Sequence, residues 1–361
     1  MEKTVYFDHA AASVTAPEIL QIFQTQSMRY FANAEAVHGL AYQAREALKR
    51  AGERISQLLF GSRDYPVVWG NSATELFRVL ASFRKFEFSA ASVLEHPALL
   101  TNLKKFTSAQ LLAVDNCGTV SGGSGMSICD VFCMHHVQSE LGIIQETARI
   151  FQSAECRCRM IDAVQSAGKI PLDKAADVWV ISGVKFGSPG GAAMLLAPDG
   201  PFTDELLAHA EACRKSDYAV SRVSVPLMLT MAAALERSVV NMAENYRRVT
   251  EINSFIRQNC VQLDILPTLP DQVNVSPYIL NLLLPHQESA VVIRALSKLG
   301  IYAASGSACS AESSTPSPAL RALGVPAKKA YRALRLSFCG ENSMEDAGIF
   351  ISGLKKVLKN Y

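Results

Sequence analysis

Apolar residues recur at helical spacing between positions 42 and 61. The apolar positions are separated by alternating steps of four and three residues: Ala44, Leu48, Ala51, Ile55 and Leu58. This spacing places them along one face of a helix. Glycine favours the left-handed conformation that often terminates a helix. The pattern therefore predicts one amphipathic helix that ends at Gly61.

The middle of the chain carries short apolar runs separated by turn and helix signals. These runs lie at 66–69, 91–94, 130–134, 160–162, 177–181 and 192–196. Apolar strands that alternate with helices are typical of a parallel sheet covered on both faces. The pattern predicts an α/β fold with a mostly parallel sheet.

The pattern changes after a long helical stretch predicted at 226–246. A strand at 278–284, a helix at 289–299, a strand at 334–338 and a final helix from Met344 follow. These elements predict a second, smaller α+β domain. We expect a large domain at 15–246, and a small domain formed by 1–14 and 247–361.

Composition, charge and cysteine content exclude several classes of function for this chain. The 361 residues include 49% hydrophobic ones and carry a formal net charge of +2, so nothing favours nucleic acid or an anionic membrane as partner. No apolar signal segment or spanning stretch is visible, which predicts a cytoplasmic protein. The 9 cysteines are an odd number, scattered along the chain. They predict neither a disulfide framework nor a metal site.

Three segments supply the groups that pyridoxal phosphate requires, namely a lysine, a carboxylate and a phosphate cradle. Lys185 follows an apolar strand in a loop rich in glycine and serine, although such a lysine is commonly a solvated surface residue. Asp162 ends another apolar strand, with Gln165 one turn later. Ligands of α/β sheets bind at such strand ends. Capping of the next helix is the alternative for Asp162.

The cradle candidate is Ser-Ala-Thr-Glu at 72–75, directly after the strand at 66–69. Serine and glutamate at this spacing form a capping box, so free amide groups at a helix start point above the sheet. Most capping boxes bind no ligand. His96 follows another strand and has the chemistry to stack on a cofactor ring and move protons, or else is structural.

Two residues of the second domain are further candidates. Cys309 lies in a polar segment that continues to Pro318, where a thiol is able to become an exposed nucleophile or is simply an incidental small residue. Arg335 lies in a strand between apolar neighbours. A guanidinium there usually has a carboxylate partner, either internal or from a substrate.

Taken in order, these segments resemble the cysteine desulfurases of the NifS and IscS type, within the class V aminotransferase superfamily of fold type I. The resemblance runs nearly end to end. The matching segments are Tyr-Phe-Asp-His-Ala-Ala-Ala at 6–12, Asn-Ala-Glu-Ala-Val-His at 33–38, Ser-Ala-Thr-Glu at 72–75, Glu-His-Pro-Ala at 95–98, Glu-Leu-Gly-Ile-Ile-Gln at 140–145, Asp-Ala-Val-Gln at 162–165 and Ser-Gly-Ser-Ala-Cys at 305–309.

The resemblance implies a large domain with a mostly parallel, seven-stranded type of sheet, and pyridoxal 5'-phosphate bound to Lys185. It implies the following contacts: Asp162, Gln165, His96 and Ser139 around the ring, Ala73, Thr74 and Ser182 at the phosphate, and Arg335 and Asn33 at the substrate carboxylate. Cys309 would take the sulfur of L-cysteine as a persulfide. A homodimer and a sulfur-acceptor protein, such as an iron-sulfur scaffold, are the implied partners.

The chain departs from the family at three places. Val184 replaces the histidine that usually precedes the cofactor lysine, so one phosphate donor is lost. Gln138 and Ser139 replace an Asn-Asn pair beside the ring. Arg222 replaces a threonine that reaches the phosphate of the partner subunit. We expect Arg222 to compensate for the missing histidine, because guanidinium binds phosphate well.

Two other functions are compatible with these residues. One is a different reaction on the same cofactor, by a selenocysteine lyase or another class V lyase or aminotransferase. The other is a catalytically altered binding or regulatory protein, which the departure at Val184 would suit. Cys309 discriminates among the enzymes, because selenocysteine cleavage can proceed without it and cysteine desulfuration cannot.

Overall fold

The computed structural model of the chain describes residues 3–120, 128–217, 220–305 and 316–359. Cys309 lies outside these described residues. Within them, a seven-stranded sheet has the order β2-β8-β7-β6-β5-β3-β4. Its strands are β2 (Val67–Gly70), β3 (Phe88–Ser92), β4 (Ser108–Leu112), β5 (Cys129–His135), β6 (Cys156–Asp162), β7 (Val178–Ser182) and β8 (Ala192–Leu196).

The sheet is mostly parallel, which confirms the predicted fold class. Strands β4, β3, β5, β6 and β7 run parallel in that order, and β8 runs antiparallel to both β7 and β2. Alternate residues of β7 enter two separate cores: Trp179 lies in one and Val180 in the other. Both faces of the sheet are therefore buried, which explains why its strands read as continuous apolar runs.

Helices cover the two faces of this sheet. They are α1 (Pro17–Arg29), α2 (Gly39–Phe60), α3 (Ala73–Ala81), α4 (Pro97–Phe106), α5 (Thr147–Gln152), α6 (Thr203–Ser216) and α7 (Val225–Val240). Helix α2 confirms the amphipathic helix predicted from the apolar spacing. Gly61 terminates it in the left-handed conformation, with φ of 77°.

Most of the remaining elements pack around a separate apolar core, and the two short helices Pro318–Ala322 and Ala327–Ala330 pack in another. These remaining elements are β1 (Val5–Tyr6), α8 (Met242–Val261), β9 (Leu266–Pro267), β10 (Ile279–Leu283), α9 (Ser289–Ser297), β11 (Ile301–Tyr302), α10 (Pro318–Ala322), α11 (Ala327–Ala330), β12 (Ala333–Ser337) and α12 (Met344–Lys359). Strand β12 pairs with β10, and β1 pairs with β11. The first strand of the chain thus joins elements from its last third.

The long helical stretch predicted at 226–246 is helical except at Asn241, where α7 ends and α8 begins. The Asn241 side-chain amide donates to the carbonyl of Arg237 at 2.8 Å. Asparagine side chains compete in this way with helical backbone bonding. Helix α8 then continues to Val261, so the domain boundary expected after residue 246 lies inside a helix.

Candidate active site

A cavity of about 320 Å³ lies where several strands of the large sheet end. The parallel strands β3, β5, β6 and β7 present their carboxyl ends at the same edge of the sheet, where ligands of such folds bind. Most of the site residues predicted from the sequence line this cavity: Ala73, Thr74, His96, Ser139, Asp162, Gln165, Ser182, Lys185 and Arg335. The tertiary structure therefore brings together segments from both ends of the chain.

Asp162 is the last residue of β6 and is buried. Its Oδ1 accepts a hydrogen bond of 2.9 Å from the amide of Val164, so the side chain also caps the following turn. Burial raises the pKa of the Asp162 carboxyl to about 7, and the nearby Glu95 carboxyl acts in the same direction. A cation placed against Asp162 would reverse this shift.

Lys185 lies in a single helical turn, Gly183–Lys185, directly after β7. Its Nζ donates to the carbonyl of Ala11 at 2.5 Å, and its own carbonyl accepts from the hydroxyl of Ser13 at 3.1 Å. The turn is tight because a side chain at Gly183 would collide with the backbone of Gly190. These contacts hold Lys185 between the sheet and the N-terminal segment of the chain.

Helix α3 begins at the mouth of the cavity and confirms the predicted capping box. The Ser72 hydroxyl accepts from the amide of Glu75 at 3.2 Å. The Glu75 carboxylate accepts from the amides of Asn71 and Ser221, at 3.0 and 3.1 Å. Thr74 is exposed in the first turn and lines the cavity, where free amides of a helix start favour an anion.

His96 combines the two roles considered for it. Its Nδ1 accepts from the amide of Ala98 at 3.1 Å and so caps α4, while the imidazole lines the cavity. Because Nδ1 accepts, the ring proton of neutral His96 lies on Nε2. Burial lowers the pKa of His96, and the charges of Lys185 and Arg335 act in the same direction.

Arg335 is 2% exposed and contributes to the cavity from β12. Its Nη2 donates to Asp8 Oδ1 at 2.7 Å, and its Nη1 donates to the carbonyl of Ser139 at 3.1 Å. The remaining donor, Nε, is buried without a partner among the described residues. A buried unpaired donor is unfavourable, and a carboxylate ligand would satisfy it.

A buried acid and base beside Asp162 escaped the sequence analysis. His135 ends β5, lines the cavity and lies in register with Asp162 on β6. Its Nδ1 and Glu95 Oε1 are 2.6 Å apart, and the amide of Gln145 lies 3.3 Å from its Nε2. The signal in the sequence is the position of His135 at the end of an apolar strand. The contact between His135 and Glu95 is visible only in the tertiary structure.

Asn33 and Arg222 do not line the cavity within the chain. Both are exposed, and Asn33 Oδ1 accepts from the amide of Glu35. The Arg222 guanidinium forms an ion pair of 3.3 Å with Glu35. The two residues thus share one surface.

No helix among the described residues is long and apolar enough to span a membrane.

The lining fits pyridoxal phosphate. Asp162 is a buried carboxyl that gains from a cationic partner, as the protonated pyridine nitrogen would be. Lys185 supplies an amine, and the start of α3 with Thr74 and Ser182 supplies donors for a phosphate. A lysine, a carboxylate and an anion cradle on one cavity are the set that this cofactor requires.

Comparisons with known proteins identify the family of the chain. A protein named cysteine desulfurase from Trichormus azollae is 27% identical, covering 93% of this chain and 88% of its own. One named cysteine desulfurase NifS from Azotobacter vinelandii is 26% identical, covering 95% and 89%. The structure of a NifS-like protein from Rickettsia africae has a TM-score of 0.83 at 18% identity, covering 99% and 100%. The family described as aminotransferase class-V matches residues 5–350, and the chain therefore belongs to that family.

Proposed function

We propose that the chain is a pyridoxal-phosphate-dependent cysteine desulfurase that converts L-cysteine to L-alanine and leaves a persulfide on Cys309. The observation that carries this proposal is the convergence of Lys185, Asp162 and the start of α3 on one cavity, beside the unpaired donor of Arg335. Relatives named cysteine desulfurase support the choice of reaction. The most similar relatives and structures do not favour the other reactions of the family.

Class V aminotransferases and their cysteine desulfurase relatives are pyridoxal phosphate enzymes. In this chain Lys185 would bind the cofactor covalently, Asp162 would pair with its ring nitrogen, and Thr74, Ser182 and the amide of Ala73 would hold its phosphate. His96 and Ser139 would contact the ring. When bound, this cofactor withdraws electrons from the α-carbon of an amino acid and so makes its proton removable.

The protein groups then have separate tasks. The Arg335 guanidinium binds the cysteine carboxylate through its free Nε, and this fixes the α-carbon relative to Lys185. The Lys185 amine takes the proton from that carbon as a general base. The Cys309 thiolate attacks the substrate sulfur, and the carbon–sulfur bond breaks with its electron pair left on carbon. Protonation of that carbon and return of the α-proton from Lys185 yield alanine, while the sulfur remains on Cys309.

The decisive experiment measures alanine and persulfide formation from L-cysteine by the wild-type enzyme and by Cys309→Ser. We expect the variant to lose both products while it still binds the cofactor. Wild-type protein that releases no alanine from cysteine but cleaves selenocysteine would contradict the proposal in favour of a selenocysteine lyase. Wild-type protein that never acquires the cofactor would favour a binding or regulatory role instead.

A homodimer is part of this proposal. Large apolar side chains between positions 14 and 42 are exposed: Val14, Leu20, Met28, Phe31, Val37, Leu40 and Tyr42. Apolar groups clustered in one segment are typical of a protein interface. Asn33 and Arg222 lie on this surface, which would bring them to the site of the partner subunit. Phe31→Asp should then give monomers in sedimentation, and Arg222→Ala should weaken cofactor binding if it contacts phosphate.

We further propose that the persulfide passes to an acceptor protein, for iron-sulfur cluster or thio-cofactor synthesis in the cytoplasm. The cysteines among the described residues are free thiols, as is usual in a reducing compartment. Persulfide transfer from the enzyme to an iron-sulfur scaffold, followed with labelled cysteine, tests the acceptor. We also propose that residues 1–14 and 247–361 form the small domain that carries Cys309.

A further inference from the structure

Lys169 is a buried lysine that the mechanism above does not use. It is 6% exposed and lies just behind Gln165, outside the lining of the main cavity. Among the described residues, ionisable groups that act on it include Lys185, Arg335, Cys339 and His9, and it forms an ion pair with no carboxylate. Burial lowers the pKa of Lys169 to about 7, with Lys185 acting in the same direction. A buried ammonium in this setting destabilises the fold.

The surroundings of Lys169 reduce the free-energy cost of burying its ammonium group but do not remove this cost. Its Nζ lies 5.8 Å from the centroid of the Tyr278 ring, a distance at which a ring face attracts a cation. A second cavity of about 40 Å³, which is room for a water molecule, touches both Lys169 and Lys185. The Glu341 carboxylate on the wall of this second cavity pairs with Arg237, and Lys169 forms no ion pair among the described residues. Because a lysine at this position is unfavourable for stability, we expect it to have a function.

The direct contact of Lys169 is with the Gln165 amide. The Lys169 ammonium donates to Gln165 Oε1 at 3.2 Å, and Gln165 Nε2 donates to the carbonyl of Ala10 at 2.9 Å. An ammonium can only donate and a carbonyl can only accept. Both contacts therefore select the same orientation of the amide, and the reversed orientation would lose both.

This orientation determines what Gln165 offers to a ligand. Its oxygen and one N–H are engaged by Lys169 and Ala10, so its second N–H is the group left for the cavity that Gln165 lines. An N–H suits an anionic oxygen such as the ring oxygen of pyridoxal phosphate. The opposite orientation would direct a carbonyl oxygen at that oxygen, which is repulsive.

We propose that Lys169 is a positioning residue, which holds the Gln165 amide so that it donates to the ring oxygen of the cofactor. The inference rests on the proposed function, and it adds a residue that acts only through Gln165. It makes two separable statements. Lys169 strengthens cofactor binding through Gln165, and its buried charge weakens the fold.

The test titrates apo-protein with pyridoxal phosphate and measures the dissociation constant for wild type, Lys169→Met, Gln165→Ala and the double variant. Methionine is unbranched like lysine, is only one heavy atom shorter, and removes the donor. We expect Lys169→Met to weaken binding about tenfold, the size of one good hydrogen bond. In the Gln165→Ala background the same change should have no further effect. Additive effects of the two substitutions would overturn the proposal.

Thermal unfolding of the apo-proteins supplies the second readout. Lys169→Met should melt at a higher temperature than wild type, because the desolvated ammonium is gone. A lower melting temperature would identify Lys169 as a structural residue and contradict the inference. Lys174→Met is the matched control, since Lys174 also donates to a carbonyl, that of Phe60, away from the cavity. If wild type itself binds no cofactor, the proposed function fails, and not this inference alone.

Discussion

Asp8 and Arg335 form a hydrogen-bonded ion pair of 2.7 Å across 327 positions of the chain. Asp8 follows β1, and Arg335 lies in β12. The pair joins Arg335, which lines the cavity, to the segment that follows the first strand. It also leaves Nε of Arg335 as a buried donor without a partner among the described residues.

Arg335→Ala should raise the KM for cysteine and lower kcat/KM by about 10-fold to 100-fold, because a hydrogen bond to a charged group contributes about 1.5–3 kcal/mol. Arg335→Lys should not restore the lost affinity, since lysine lacks the planar set of donors. Steady-state kinetics with cysteine measure both. Arg332→Ala is the control, because Arg332 donates to the carbonyl of Pro285 away from the cavity. An unchanged KM in Arg335→Ala would assign the substrate carboxylate to another residue.

Asp162→Asn should change how apo-protein stability depends on pH. The folded pKa of Asp162 is about 7, above the ordinary value of 3.8, so the folded state retains a proton that the unfolded state has released. The contribution of protonated Asp162 to wild-type stability should thus be fully present below about pH 4 and fall as pH rises toward 7, by up to about 1.4 kcal/mol per unit. Denaturant unfolding at several pH values should show that Asp162→Asn lacks this decline.

The same Asp162→Asn variant should bind pyridoxal phosphate much more weakly, because an amide does not pair with a protonated ring nitrogen as a carboxylate does. A gap in stability between wild type and variant that stays constant with pH would show that Asp162 is not the titrating group. Both proteins retain His9 and His136, whose pKa values burial lowers to about 4. The titration of these histidines therefore affects the stability of both proteins equally and does not change the difference between them.

His135→Ala should destabilise the protein by about 1–3 kcal/mol, because it leaves the buried Glu95 carboxylate without its hydrogen-bond partner. Glu95→Gln in the same chain should recover part of the loss, since the uncompensated charge is then removed. Chemical denaturation measures both variants. His209→Ala is the control, because that histidine is only partly buried and contacts Ser82 and the carbonyl of Val79. Equal losses of stability in His135→Ala and His209→Ala would show that the contact between His135 and Glu95 stabilises the fold no more than an ordinary histidine contact.

Lys185→Ala should abolish the visible absorption band of covalently bound cofactor and reduce alanine formation to background. The fold should persist, because Lys185 is only partly buried and its amine donates to a backbone carbonyl of the N-terminal segment. Absorption spectra of the purified variant with added pyridoxal phosphate provide the measurement. Lys298→Ala, at the end of α9, serves as the control. A retained band would place the covalent link at another lysine.

The strands of the large sheet were accessible to sequence analysis because both faces are buried and each strand reads as an apolar run. The edge strand β4 was not predicted, since its residues are only partly buried or exposed. The break at Asn241 was also missed, because it depends on one side chain bonding to its own helix. The pair of Glu95 and His135 joins two strand ends whose adjacency no local pattern records.

By itself, the sequence determined the alternation of strands and helices, the order of the motifs, and the residue types able to hold a phosphorylated aromatic cofactor. These properties depend on local periodicity and on the chemistry of single side chains. Only the tertiary structure decided that Arg335 meets Asp8, that Lys169 orients Gln165, and that Asn33 and Arg222 lie outside the cavity. The Asp8–Arg335 contact joins segments far apart in the chain, and it forms only because strand order brings those segments together. Lys169 and Gln165 are four residues apart, and only their shared burial in the folded protein makes their contact significant.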